Sequence, residues 1–155
     1  MKKVLFTAIT FVLFLSACEQ LDNNLGSGNN NHFSFEGENT PIRNAKATKS
    51  GDNYTFQFYS GSNAATSDHF IELTFPATLN DTIFTIPMAK GEWSVNGAVE
   101  NIAYSGDRSG RTAFQSANVQ IKVLDGAGSV DLKYSLALND NRCVNGFYKG
   151  QIIGY

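Results

Sequence analysis

Ser67, Asp68 and His69 set a nucleophile, an acid and a base side by side, the residue types of a hydrolytic relay. Neighbours on an extended chain point to alternate faces, so these three cannot line up as nucleophile, base and acid. The two histidines, His32 and His69, lie far apart in sequence. A zinc site built on them would need carboxylates or Cys143 brought in from a distance. Asn80-Asp81 and Asn139-Asp140-Asn141 offer oxygens suited to calcium, but neither has the Asp-x-Asp-x-Asp-Gly loop with its distant glutamate. Turn chemistry accounts for them, because Asn and Asp tolerate left-handed backbone angles. Arg108 and Arg111, in the loop that follows Tyr104, could clamp a carboxylate or phosphate. Trp93, beside Glu92, could stack on a sugar ring. A solvated hairpin tip and a core or edge filler are the plainer readings of those two segments. Glu36, Glu38, Glu72 and Glu100 are the carboxylates on which a small glycan hydrolase would draw, and that chemistry needs two of them facing each other across a cleft. Spacing does not show such a pair. The sequence therefore assigns no catalytic residue, no metal site and no cofactor, and leaves Trp93, Arg108 and Arg111 as the ligand-binding candidates.

The most specific pattern lies at the start of the chain. Lys2 and Lys3 precede an apolar run from Val4 to Leu15, which ends in the small residues Ser16 and Ala17. A charged opening, a short apolar core and small residues before a break make up a secretory signal. The run of 12 residues is too short to span a bilayer, for which roughly 20 are needed. Leu15-Ser16-Ala17-Cys18 resembles the lipobox of bacterial lipoproteins. The resemblance implies that Cys18 receives a diacylglycerol thioether, that the signal is cut before it, and that the new N-terminus is acylated. With more than one acyl chain, each buried methylene worth ~0.8 kcal/mol, the membrane anchor would be stable. Glu19 directly after Cys18 is similar to the lipoproteins that are sent on to the outer membrane.

Loss of the signal would leave 138 residues and take the formal charge from −2 to −4 as Lys2 and Lys3 depart. That is a length for one domain with a sizeable core. A mildly acidic surface carries no electrostatic footprint for nucleic acid. With Cys18 lipidated, Cys143 would have no partner for an intramolecular disulfide, and it reads as a small buried hydrophobe. Residues 19–31, Glu19-Gln-Leu-Asp-Asn-Asn-Leu-Gly-Ser-Gly-Asn-Asn-Asn31, have the composition of a flexible linker with a reach of about 20 Å.

From His32 onward the hydrophobic period is two. Val130, Leu132, Tyr134, Leu136 and Leu138 alternate with Asp131, Lys133, Ser135 and Ala137, which predicts one core face and one wet face. Ala117, Val119, Ile121 and Val123 behave in the same way, and the glycine-containing stretch between the two runs predicts a β-hairpin. Tyr54, Phe56 and Phe58 form a second pair with Ile71, Leu73 and Phe75 across a polar loop at 60–68. Further strands are expected at 32–36, 43–48, 82–86, 98–104 and 144–153. Helical spacing is nearly absent. About nine short strands predict an all-β domain over 32–155, an antiparallel β-sandwich or else a small β-barrel.

Lipobox, Asn-rich linker, hairpins and the closing Gly146-Phe147-Tyr148-Lys149-Gly150 together resemble small envelope lipoproteins of Bacteroidota. The likeness is one of architecture, and it implies a β-sandwich tethered to the envelope with no assigned chemistry. Read from the residues alone, Gly146 and Gly150 mean a bulge and a close backbone approach in a terminal strand. Two functional classes follow. One is a non-catalytic module that binds a glycan, a peptide or a protein partner; the other is a small envelope hydrolase using paired carboxylates. The module is the expectation, because a sandwich of this length has little material for a deep cleft.

Overall fold

Among the described residues, alternation of apolar and polar residues places eleven strands in two antiparallel sheets. The computed structural model describes residues 31–80, 83–85, 93–100, 102–107, 114–124 and 128–154. In chain order the strands are β1 (His32–Phe35), β2 (Glu38–Pro41), β3 (Asn44–Ser50), β4 (Asn53–Tyr59), β5 (His69–Pro76), β6 (Ile83–Thr85), β7 (Ser94–Val99), β8 (Ile102–Asp107), β9 (Phe114–Leu124), β10 (Ser129–Leu138) and β11 (Cys143–Gln151). Two single 3-10 turns, Ala64–Thr66 and Ala77–Leu79, flank β5. The first sheet runs β2-β1-β11-β10-β9-β6 and the second β3-β4-β5-β7-β8. The two remain separate layers, so the sandwich holds and the barrel alternative does not.

The predicted hairpin of β9 and β10 lies in the middle of the first sheet. Leu132 sits between Ile121 and Tyr148, and Leu136 between Ala117 and Val144. Their side chains are all buried and face the second sheet. That sheet answers with Phe56, Phe58, Ile71, Leu73 and Phe75, from the predicted pair of β4 and β5. Phe56 stacks on Phe75 with centroids 5.7 Å apart, and Phe58 meets Tyr148 of the other sheet at 5.1 Å. The core is thus largely an aromatic seam between the layers.

Two tyrosines stand over glycines within it. Tyr104 pairs with Gly97 in the second sheet and Tyr134 with Gly146 in the first. A Cβ on Gly97 would lie 2.4 Å from the Tyr104 ring, and one on Gly146 would lie 2.2 Å from the Tyr134 ring. Gly146 therefore serves the close approach; the register of β10 with β11 runs through it without a bulge.

Three expectations change. The strand expected over 98–104 is a hairpin of β7 and β8, which turns at Glu100 with φ 51°. β2 was not foreseen, because an exposed edge strand shows no apolar period. The outward row of β10 is not wet throughout: Ser135 and Ala137 are buried. The β1–β2 connection is a two-residue turn, Glu36-Gly37, with both φ values positive, the geometry that matches strand twist in tight hairpins. After β11 the chain crosses to the second sheet, where the Ile153 amide donates to Ala45 O at 2.9 Å and the Ala47 amide donates to Ile153 O at 3.0 Å.

Candidate functional site

The loop between β4 and β5 is shaped by its own small polar residues. The Ser60 amide donates to His69 O at 3.0 Å and closes it. The Ser67 hydroxyl accepts from the Gly61 amide at 2.9 Å and donates to Asn63 O, while the Thr66 amide donates to Asn63 Oδ1 at 3.0 Å. Asn44 of β3 adds a bond from its Nδ2 to Gly61 O at 2.7 Å. Against this loop come the end of β2 and the link into β3, leaving a concavity of about 290 Å³ edged by Thr40, Arg43, Ser60, Thr66, Ser67 and Asp68. That is the low end of the volumes in which proteins hold small ligands, roughly 300–1,000 Å³. Its chemistry is one exposed guanidinium, one exposed carboxylate and several hydroxyls. Such a set can hold a small polar group by hydrogen bonds, with one charge of each sign to orient it. Its one carboxylate, Asp68, has no second one facing it among the lining residues, so the concavity lacks the pair that glycoside hydrolysis uses.

Ser67, Asp68 and His69 do share this loop, but not as a relay. The serine hydroxyl is engaged within the loop, and His69 opens β5 with its ring 6.0 Å from that of Phe33. The sequence reading passed over Thr40 and Arg43. Their sole signal is a threonine and an arginine on either side of Pro41-Ile42, which has no chemical signature until β2 folds against the loop.

A second polar group gathers where hairpin turns meet. Arg142 donates from Nε to Asp140 Oδ2 at 2.8 Å, its amide donates to Asp140 Oδ1 at 3.2 Å, and its guanidinium lies 3.8 Å from Glu36 and 5.3 Å above the Phe35 ring. Hydrogen bonds from Arg142 hold the Asp140 carboxyl below the usual carboxylate range. Asp140 in turn raises Arg142, with smaller contributions from Glu36 and Glu100. The arginine is thus a clasp between two turns, already occupied by Asp140 and Glu36. Of the four glutamates singled out above, Glu36 lies against this cation, Glu100 adds a weaker electrostatic contribution to it from the β7–β8 turn, Glu38 is exposed on edge strand β2, and Glu72 accepts from Gln57 Nε2 at 2.6 Å. Among the described residues no group of three or more His, Cys, Asp or Glu side chains is placed to hold a metal ion.

No family model, curated protein or solved structure matches this chain.

The remaining candidates separate clearly. Trp93 is part of the core at 4% exposure, so neither face of its indole is open to a sugar. Arg108, Arg111 and Cys18 lie outside the described residues. Cys143 corrects an expectation: it is disulfide-bonded, and no described cysteine is free. The expectation follows from giving Cys18, the one other cysteine in the chain, to lipid. Cys143 opens β11 on the outward side of the first sheet, half-buried, within reach of a second thiol. A sulfur carries either a thioether or a disulfide, so one molecule cannot hold a Cys18 lipid and a Cys18–Cys143 bond together.

Proposed function

We propose that this protein is an envelope lipoprotein, anchored through a thioether at Cys18 and best described by what it holds rather than by what it converts: a small non-catalytic module binding a polar ligand such as a glycan or a peptide. The observation that carries the anchor is the Leu15-Ser16-Ala17-Cys18 box behind Lys2, Lys3 and a short apolar run. Binding is supported by the concavity beside the β4–β5 loop, where Arg43 and Asp68 flank a ring of hydroxyls. Hydroxyl-rich surfaces recognise sugars and peptide backbone through the same donors and acceptors, and an arginine adds a planar fork for a carboxylate. The outer membrane is the location that Glu19 after the box supports.

The anchor is tested by growing cells on labelled palmitate with the natural chain and with Cys18→Ser. Label and membrane fractionation should both be lost in the variant. Palmitate retained by Cys18→Ser, or natural membrane-bound protein in which Cys18 and Cys143 form one disulfide, would overturn it. Binding is tested separately with Arg43→Ala on a glycan and peptide array. Loss of a signal seen with the natural chain supports the concavity, and unchanged binding removes it.

A further inference from the structure

The concavity between the β4–β5 loop and the β2–β3 link is divided by hydrogen-bonding character. On the loop side both serine hydroxyls have given their hydrogens to main-chain carbonyls: Ser60 donates to His69 O at 3.3 Å and Ser67 donates to Asn63 O. A hydroxyl has a single hydrogen, so lone pairs are what the two serines have left to offer. Asp68, next in the chain, adds carboxylate oxygens that only accept. This wall suits a group with several hydrogens and a positive charge. On the other wall Arg43 has only donors, set in a planar fork that matches a carboxylate. Both charged side chains are exposed, and among the described residues no ion pair joins them. They border one space of about 290 Å³ without neutralising each other.

We infer that this concavity takes a small amino-acid zwitterion of one or two residues, with its ammonium against Asp68 and the serine oxygens and its carboxylate on Arg43. The assignment rests on the binding proposed above and narrows it toward peptides. A neutral sugar brings hydroxyls alone and leaves both protein charges to water. A simple anion that reaches Arg43 is repelled by Asp68, and a simple cation at Asp68 is repelled by Arg43. A molecule with both charges meets an opposite charge on each wall, so the site rejects singly charged ligands as well as attracting dipolar ones. Length sets the other limit. Each added residue can separate the two termini by roughly 3.3–3.6 Å, so the ends of a longer peptide outrun a space this small. The lipid anchor plays no part in the assignment, because every residue it uses lies between β2 and β5.

The test follows the Gly61 and Asp68 amide signals in nitrogen–proton NMR spectra of the full chain in detergent. The ligands are serine and glycylserine, the N-acetylated and the amidated form of each, and glucose. Serine or glycylserine should shift both signals to saturation. Each blocked form lacks one charge and should bind about fivefold more weakly, the scale of an exposed charge pair. In Arg43→Ala the amidated form should bind as well as the free one, and in Asp68→Asn the acetylated form should do so. Both side chains are exposed, so the sheets should tolerate either change. A blocked form that binds the natural chain as tightly as its free parent would overturn the zwitterion and leave a binding concavity in place. Glucose binding without a response to serine or glycylserine would do the same. Signals unmoved by every ligand would overturn the zwitterion and the binding concavity together.

Discussion

The two tyrosine–glycine pairs are the most demanding residues in the core. In each, a ring sits against a glycine on the neighbouring strand, at a distance that leaves no space for a Cβ. Gly146→Ala must push the Tyr134 ring away or bend β11, and overpacking of this kind costs about 1–3 kcal/mol. A denaturation midpoint equal to that of the natural protein would show that the ring has somewhere else to go. The hydroxyls behave differently from the rings. Tyr104 donates to Phe70 O at 3.1 Å, whereas the Tyr134 hydroxyl is buried with no partner at hydrogen-bond geometry. It is near enough to Tyr104 for each to alter the other's acidity. An unsatisfied buried hydroxyl costs roughly 1–3 kcal/mol, so Tyr134→Phe should be neutral or more stable. A clear loss on denaturation would mean that Tyr134 donates to Tyr104 after all.

Among the elements, β10 has the most to lose from a single truncation. It lies between β9 and β11 with its inward row fully buried, so Leu132→Ala should cost about 2–5 kcal/mol. Lys133→Ala, on the other face, should stay within about 0.5 kcal/mol. Similar denaturation midpoints for the two variants would mean that the register is wrong. This strand was legible because one face is apolar at every second position from Val130 to Leu138. The hairpin of β7 and β8 was not. Asn96 and Gly97 interrupt the alternation, and Gly97 is small for the sake of Tyr104, a reason that appears only once the strands pair. The buried outer face was hidden for a related cause: Ser135 and Ala137 look like solvent-side residues in the sequence, and their burial appears only in the folded sheet. Among the candidate site residues, sequence identified the turn character of Asn139–Asn141. The concavity was missed, since Arg43 and Asp68 are 25 positions apart in the chain and meet through β2 and a loop.

On the scale of the whole molecule, both buried phenols belong to one core shared by the two sheets, so neither can ionise by a local adjustment. Burial pushes both well above the ordinary tyrosine value of 10.0. The unfolded chain then releases these protons at a lower pH than the folded one does. Their contribution to stability is complete below about pH 10 and falls as pH rises beyond it. Tyrosinate absorbance from Tyr104 and Tyr134 should therefore emerge together with loss of the fold. Phenol ionisation of these two with the sandwich intact would contradict the burial.

The pairing of β1 with β11 brings His32 opposite Phe147, residues that a ribosome produces roughly 6–23 s apart at about 5–20 residues per second. Until the last strand emerges, β1 has β2 as its one neighbour, and the first sheet has no means of joining its N-terminal strands to β10. This strand order builds a delay into the topology: the first sheet cannot be completed before β11 has emerged, so the time for which its N-terminal strands wait is written into which strands are neighbours.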